Sequence, residues 1–406
     1  MGRTQVPPLV TLALAIVLLL AFSGCGSVSG SAKTNNPSPT PTPPANPTPS
    51  PTPTPALGSQ FIYGMPGFES GSIQAGAIQS NGAVVPVAGS PFDEGLGTPS
   101  VIQIVGDVKG RFVYVLNVEA IAVGMIIGEP GIAGFKIDPQ SGALTAVPGS
   151  PIMFSQRNNN FMVMDGPGHF LFEPNGLGDF SSTGFDVYAI DQNTGALTKT
   201  TSTSNAPPIG NFAAASADGR FVFNAGNGLV EAFSIVSSTG QLVATGAPIS
   251  TGGSAGPIAA SSDGKFLYVA NENEGTVAVF AIGAGGTLSM ASGSPFAIDP
   301  GAESLELTPD GRFLYVAAFT DTATGANQTV KGYAVNPAAG MFAPIPGALV
   351  NNVDSVTIDF SGKFAYISSP GSLFTYSIDP TTGALTQLSH TTAPSSDDAS
   401  DLVTVP

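Results

Sequence analysis

A phenylalanine followed two residues later by a second aromatic returns seven times, and this repeat limits the chain more than any other feature. Phe stands at 61, 112, 170, 221, 266, 313 and 364, with Tyr63, Tyr114, Phe172, Phe223, Tyr268, Tyr315 and Tyr366 two places on. The fullest copy is Ser262-Asp-Gly-Lys-Phe-Leu-Tyr-Val-Ala-Asn271: a turn, a base, then a strand. A fixed period of this size marks a solenoid, a propeller or an array. Each unit predicts four strands. Around Phe266 they are A, Pro257 to Ser261; B, Phe266 to Ala270; C, Thr276 to Ile282; and D, Thr287 to Met290. Strand C carries its own aromatic in six units, at Phe135, Tyr188, Phe233, Phe280, Tyr333 and Tyr376. The C–D turn carries Gly in every unit, at 82, 142, 195, 240, 286, 340 and 383. A tight hairpin needs positive φ there, which Gly adopts without steric penalty.

Strand B has two apolar faces. Phe266, Tyr268 and Ala270 point one way, Leu267 and Val269 the other. Both must be covered, which a ring of blades stacked face to face achieves. The first unit enters directly on strand B at Gln60. The last continues past its D strand, Ala384 to Leu388, into Asp401-Leu-Val-Thr-Val-Pro406, which reads as another A strand. The expectation is an all-β, seven-bladed β-propeller of four-stranded antiparallel blades over residues 59–406. Its ring is closed by the C-terminal strand completing the first blade. Closure also protects strand edges from pairing with other chains.

Ahead of the repeats, residues 1–25 predict an export signal, with Arg3, an apolar run from Leu9 to Phe22, and Ser23-Gly24-Cys25. Cys25 is the only cysteine, so no disulfide within the chain can brace the domain. Its setting resembles the lipobox of bacterial lipoproteins, which implies lipidation at Cys25 and an extracytoplasmic, membrane-anchored protein at the outer membrane or cell surface. Residues 26–58, rich in Pro, Thr and Ser, predict a stalk in extended polyproline form.

The repeats resemble the YVTN-type units of seven-bladed lactonase-like propellers, the family that includes bacterial 6-phosphogluconolactonases. Phe266-Leu-Tyr-Val-Ala-Asn271, Phe112-Val-Tyr-Val-Leu116 and Phe374-Thr-Tyr-Ser-Ile-Asp-Pro-Thr-Thr-Gly-Ala-Leu385 carry the likeness. The resemblance implies lactone hydrolysis as the enzymatic possibility, with His and Arg around a channel mouth.

Strand order sorts the loops. The stereotyped A–B and C–D turns share one face; the variable B–C and D–A loops share the other, where binding is expected. Lys109, Arg111, Arg220, Lys265, Arg312 and Lys363 lie at the turns, and Arg157 alone among the bases is placed on a variable loop. That side carries Asp93, Glu94, Glu119, Glu129, Glu173, Asp179, Glu272, Glu274, Asp299, Glu303, Asp321, Asp354, Asp397 and Asp398. With a net charge of −16, such a face disfavours nucleic acid and phosphorylated sugars and suits cations or basic partners. Solubility alone is the plainer account of the same charge.

There are two histidines. His169 takes the basic slot of a turn, whereas His390, with Arg157, is the candidate general base and oxyanion partner. Gly252-Gly-Ser-Ala-Gly256 matches G-x-S-x-G, but it lacks the strand-to-helix setting and the partner order of a nucleophile elbow. A Ca²⁺ site is chemically open to Glu272, Asn273 and Glu274 beside Glu173 and Asn175. The expected function is binding of a small-molecule or protein ligand on the acidic face. The alternative is hydrolysis of a non-phosphorylated lactone, with or without a metal.

Overall fold

The computed structural model describes residues 60–64, 72–96, 100–118, 121–122, 125–126, 130–154, 161–175, 184–200, 209–321, 326–351, 353, 355–369, 372–392 and 402–406. Cys25, the stalk and Arg157 lie outside them, as do Glu119, Glu129, Asp179, Asp354, Asp397, Asp398 and the side chains of Asn175 and Asp321.

Seven antiparallel sheets follow one another, each in the order A-B-C-D. The B strands are Gln60–Gly64, Phe112–Val118, Phe170–Asn175, Phe221–Gly226, Phe266–Asn271, Phe313–Asp321 and Phe364–Ser369. The A strands touch their neighbours in a closed circuit, with Leu402–Val405 lying between Ser355–Ile358 and Ser100–Gly106. Leu402–Val405 pairs with Gln60–Gly64, Phe61 opposite Val405 and Tyr63 opposite Val403. The C-terminal strand therefore completes blade 1, and the architecture is the seven-bladed propeller the repeat implies.

Both faces of each B strand are packed. Phe266, Tyr268 and Ala270 join Leu314, Val316 and Tyr333 of blade 6. Leu267 and Val269 join Phe221, Phe223 and Ala225 of blade 4. The first repeat aromatic also explains the turn glycines. A Cβ at Gly340 would stand 2.7 Å from the ring of Phe266 in the preceding blade, and the same pairing joins Phe61 to Gly142 and Phe364 to Gly82. These glycines have positive φ, +71° at Gly340. Turn geometry and the neighbour's phenyl ring thus demand the same residue. Where the second aromatic is Tyr, its hydroxyl can reach the next blade's turn as well: Tyr114 donates to the Gly195 carbonyl at 2.8 Å and Tyr315 to that of Gly383 at 2.7 Å.

The outer strands contain a device absent from the sequence-based expectation. In blades 1, 2 and 5 strand D stops after three residues, and a Gly-Ser-Pro segment steps the chain aside. A two-residue strand, Phe92–Asp93, Ile152–Met153 or Phe296–Ala297, then pairs with strand C. The serine fills the gap: Ser90, Ser150 and Ser294 Oγ accept the N–H groups of Ala75, Gly134 and Val279 at 2.8–2.9 Å. Blade 7 instead skips one residue, Leu388, within Leu385–Thr392. Interrupted edges are poor templates for pairing with other chains.

Candidate functional site

The turn face is built from hydrogen-bonded loops. In the A–B turns headed by Asp165, Ser216, Ser261 and Asp359 a side-chain oxygen accepts the N–H groups four and five residues on, and Thr308 accepts the fifth. Asp165 Oδ1 takes His169 and Phe170 at 2.7 Å, and Ser261 Oγ takes Lys265 at 3.1 Å and Phe266 at 2.9 Å. Where the head residue is Ser or Thr, an Asp two places later pairs with the base. Arg220 Nε lies 2.6 Å from Asp218, Lys265 Nζ 2.7 Å from Asp263 and Arg312 Nε 2.7 Å from Asp310. In blade 2 Arg111 pairs with the head aspartate itself, Asp107, at 2.5 Å. The C–D turns add Asp138, Asp191 and Asp379. Hydrogen bonds, led by the backbone N–H three residues on, hold these carboxyls below the usual aspartate range. The basic row expected on this face is therefore balanced by its own aspartates.

Between the A strands and towards these turns lies a cavity of about 460 Å³. Gln103, Glu306, Thr357 and Thr404 line it among apolar groups such as Met164, Leu307, Ile358 and Val403, and Pro309 and Phe360 border it. Its walls are stitched across blades: Gln103 Oε1 accepts the Met162 N–H at 2.6 Å, and Thr404 donates to the Ile358 carbonyl at 2.7 Å.

On the variable-loop side the expected acidic residues divide into two groups. Glu94 and Glu173 are buried, at 2% and 1% exposure, inside blade interfaces and so do not contribute to an open surface. Burial, opposed by a hydrogen bond from Asn117 at 3.0 Å and assisted by Asp93, pushes the Glu94 carboxyl up to about 7. A third buried acid was missed. Glu231, 2% exposed on strand Leu229–Ile235, is likewise pushed up to about 7 by burial. Its cross-strand neighbour Asn224 uses its whole amide to hold the loop before blade 4, through Ile209, Gly210 and Phe212. A polar pair interrupting the Phe-x-Phe run at Asn224 was the available signal.

Asp93, Glu274 and Glu303 remain exposed, Glu272 is half-buried, and Asp299 is ion-paired with Lys331. Glu272, Asn273 and Glu274 do come together with the G-x-S-x-G loop, but as its clamp. Glu274 accepts the Ser254 N–H at 2.6 Å, Asn273 donates to Ser254 Oγ at 2.9 Å, and the Glu272 N–H bonds the Ser254 carbonyl at 2.9 Å. Burial, then the Glu274 charge, raises the Glu272 carboxyl. Glu173 does not join them. It lies two blades away and faces Asp186 across the strand pair. Among the described residues no group of three or more His, Cys, Asp or Glu is arranged to hold a metal.

The sequence places the last D strand at Ala384 to Leu388, with His390 after it on the variable face; the structure runs that strand over Leu385–Thr392, so His390 lies within the outermost strand of blade 7. It is exposed, its ring lies against Phe374 with centroids 4.9 Å apart and planes tilted by 35°, and Nε2 lies 3.1 Å from Ser372 Oγ. His169 sits on the turn face, half exposed and 3.9 Å from Asp165.

Comparison with known proteins follows the architecture. The periplasmic gluconolactonase of Pseudomonas aeruginosa superposes with a TM-score of 0.68 at 20% identity, over 86% of this chain and 99% of that one. A candidate 6-phosphogluconolactonase of Bacteroides uniformis gives 0.65 at 17%, over 86% and 99%. One from Bacteroides fragilis gives 0.63 at 19%, over 89% and 100%. At these identities the likeness is one of fold. No curated protein gives a significant match. The family described as Lactonase, 7-bladed beta-propeller matches over residues 176–298 and 212–398, more than half of the sequence. The chain belongs to the seven-bladed β-propeller lactonase family.

Proposed function

We propose that this protein is a lipid-anchored, extracytoplasmic propeller that binds its ligand on the variable-loop face. The observation that carries this reading is the set of exposed carboxylates there, Asp93, Glu274 and Glu303. Among the described residues the cations are gathered at the turns or, like Lys331 and Lys199, paired with aspartates. Such a surface suits a cationic ligand or a neutral polyol whose hydroxyls donate to carboxylate, and it disfavours a phosphorylated sugar. A thermal-shift series with Ca²⁺, polyamines and uncharged aldonolactones tests it. Stabilisation by at least one of these that is lost in Glu274→Gln supports the assignment, and no shift with any overturns it.

Lactone hydrolysis is the second reading, favoured by family membership and by the likeness to a periplasmic gluconolactonase. It assigns the general base to His390 and oxyanion stabilisation to Arg157, with a Ca²⁺ ion at Glu272, Asn273 and Glu274 as an optional aid. Measuring hydrolysis of non-phosphorylated lactones with and without EDTA distinguishes the two. Turnover lost by tenfold or more in Arg157→Ala or His390→Ala, about 1.4 kcal/mol of barrier, supports catalysis. Inert protein across the panel supports pure binding.

A further inference from the structure

Glu94 and Asn117 are buried, at 2% and 0% exposure, and they meet across the junction of blades 1 and 2. Glu94 follows the short strand Phe92–Asp93, at the start of the loop that leaves blade 1. Asn117 is next to last in strand B of blade 2, Phe112–Val118, at the end that feeds the variable loops. The same two places recur between blades 4 and 5. There Thr251 follows Ile249–Ser250, and Asn271 donates to the Thr251 carbonyl at 3.0 Å. Each loop residue precedes a glycine of positive φ, Gly95 at +76° and Gly252 at +86°. The asparagine thus fastens the outgoing loop of the preceding blade, and the fold does not require an acid to receive it.

An acid changes the chemistry of that contact. Asn117 Nδ2 donates to Glu94 Oε1 at 3.0 Å. Among the described residues, Glu94 Oε2 and Asn117 Oδ1 have no hydrogen-bond partner, although both atoms are buried. An ionised carboxylate only accepts, as does an amide oxygen, so neither of these atoms can satisfy the other. A carboxylic acid donates from one oxygen and accepts at the other, which is the complement of a primary amide. The surroundings favour the neutral form. Leu96, two residues on, belongs to the apolar core between the blades. The strands beside Asn117 bring Val101 and Gly131 opposite it, neither of them ionisable. Asp93, whose Oδ1 accepts the Gly95 N–H at 2.9 Å, adds a like charge. The segment joining strands B and C adds Glu119 and Glu129 to the sequence there, and no Lys, Arg or His.

We propose that Glu94 is built in as the neutral acid, its Oε2–H donating to Asn117 Oδ1, so that two parallel hydrogen bonds lock the loop leaving blade 1 to strand B of blade 2. Loss of that proton to solvent opens the lock, because it leaves two acceptors and a charge in a buried contact. Burial, opposed by the Asn117 hydrogen bond and assisted by Asp93, puts this change at about 7. The lock is closed below that value and opens above it. It lies at the root of two variable loops, and it stands whether their face binds a ligand or turns over a lactone.

The test is hydrogen exchange on the full chain at pH 5 and 8, corrected for the intrinsic pH dependence of exchange. The parent is Glu231→Gln protein, which removes the other acid raised to about 7. Amides 94–96 and 116–118 should lose about tenfold in protection at pH 8, where about one molecule in ten keeps the proton. Amides 269–271, around the Asn271 contact, should change by less than about twofold. Adding Glu94→Gln, whose amide makes the same two bonds without a titrating proton, should keep all of them protected at both pH values. No loss in the parent, an equal loss at 269–271, or the same loss with Glu94→Gln overturns the proposal. Infrared difference spectra of the parent give a second measure: a protonated-carboxyl stretch should vanish with a midpoint near pH 7, and its absence overturns the proposal. So does protection that follows added Ca²⁺ or K⁺ at constant pH, since a cation would then hold the two oxygens.

Discussion

Gly340 and Gly264 separate two demands that a sequence cannot tell apart. Both have positive φ, +71° and +69°, but a Cβ at Gly340 meets Phe266 whereas one at Gly264 meets open space. Gly264→Ala should cost about 1 kcal/mol, the backbone penalty alone. Gly340→Ala should cost about 2–4 kcal/mol, adding overpacking of the phenyl ring. Urea unfolding of the two variants checks this, and equal losses would mean that the ring yields freely. Glu94 and Glu231 make a prediction about pH. Their carboxyls rise from the ordinary 4.5 to about 7 on folding, so between those values the folded state holds more protons than the unfolded. Stability therefore falls as pH rises through that window. The aspartates of the C–D turns act oppositely, losing their contribution as pH drops below their unfolded value near 3.8. The melting temperature should peak near pH 4–5. Glu231→Gln should flatten the decline towards pH 8 by on the order of 2–3 kcal/mol, read from urea melts at pH 5 and 8. Glu94 was legible only as charge and Glu231 only through Asn224 beside the Phe-x-Phe run, since burial depends on which blade face a residue takes.

At the scale of the strand, the B strand and the C–D turn were readable because their residues serve two purposes at once, local geometry and contact with the next blade. The outer strand was read less well. Gly-Ser-Pro at 89–91, 149–151 and 293–295 is plain in the sequence, but its meaning depends on a backbone N–H in strand C that only pairing reveals. Ser150→Ala should leave the Gly134 N–H without its acceptor and cost about 1–2 kcal/mol, measured by chemical denaturation. Deleting residues 399–406 removes Val405, fully buried, and uncovers one side of Gln60–Gly64. The melting temperature should drop by roughly 5 °C or more. An unchanged melt would show that the first blade does not depend on that strand.

For the molecule as a whole, the repeat predicted blade number and closure, because seven units that cannot cover themselves leave few arrangements. Surface character was harder. Counting bases at the turns suggested a basic face, and the structure balances them with Asp218, Asp263 and Asp310, each two residues away. The candidate catalytic pair was beyond reach for the same reason that loops carry specificity: their path is set by neighbours in other blades, not by local pattern. The closing strand has a mechanical consequence too. A load applied along the N-terminal chain arrives at Gln60–Gly64, which is hydrogen-bonded on both sides, to Ser72–Ile78 and to Leu402–Val405. Pulled along its axis, that strand is sheared against two partners, and their bonds must yield together. An A strand at the chain's start would have had a bonded neighbour on one side only. Closing the wheel from its far end therefore places the point of traction on its better-held strand.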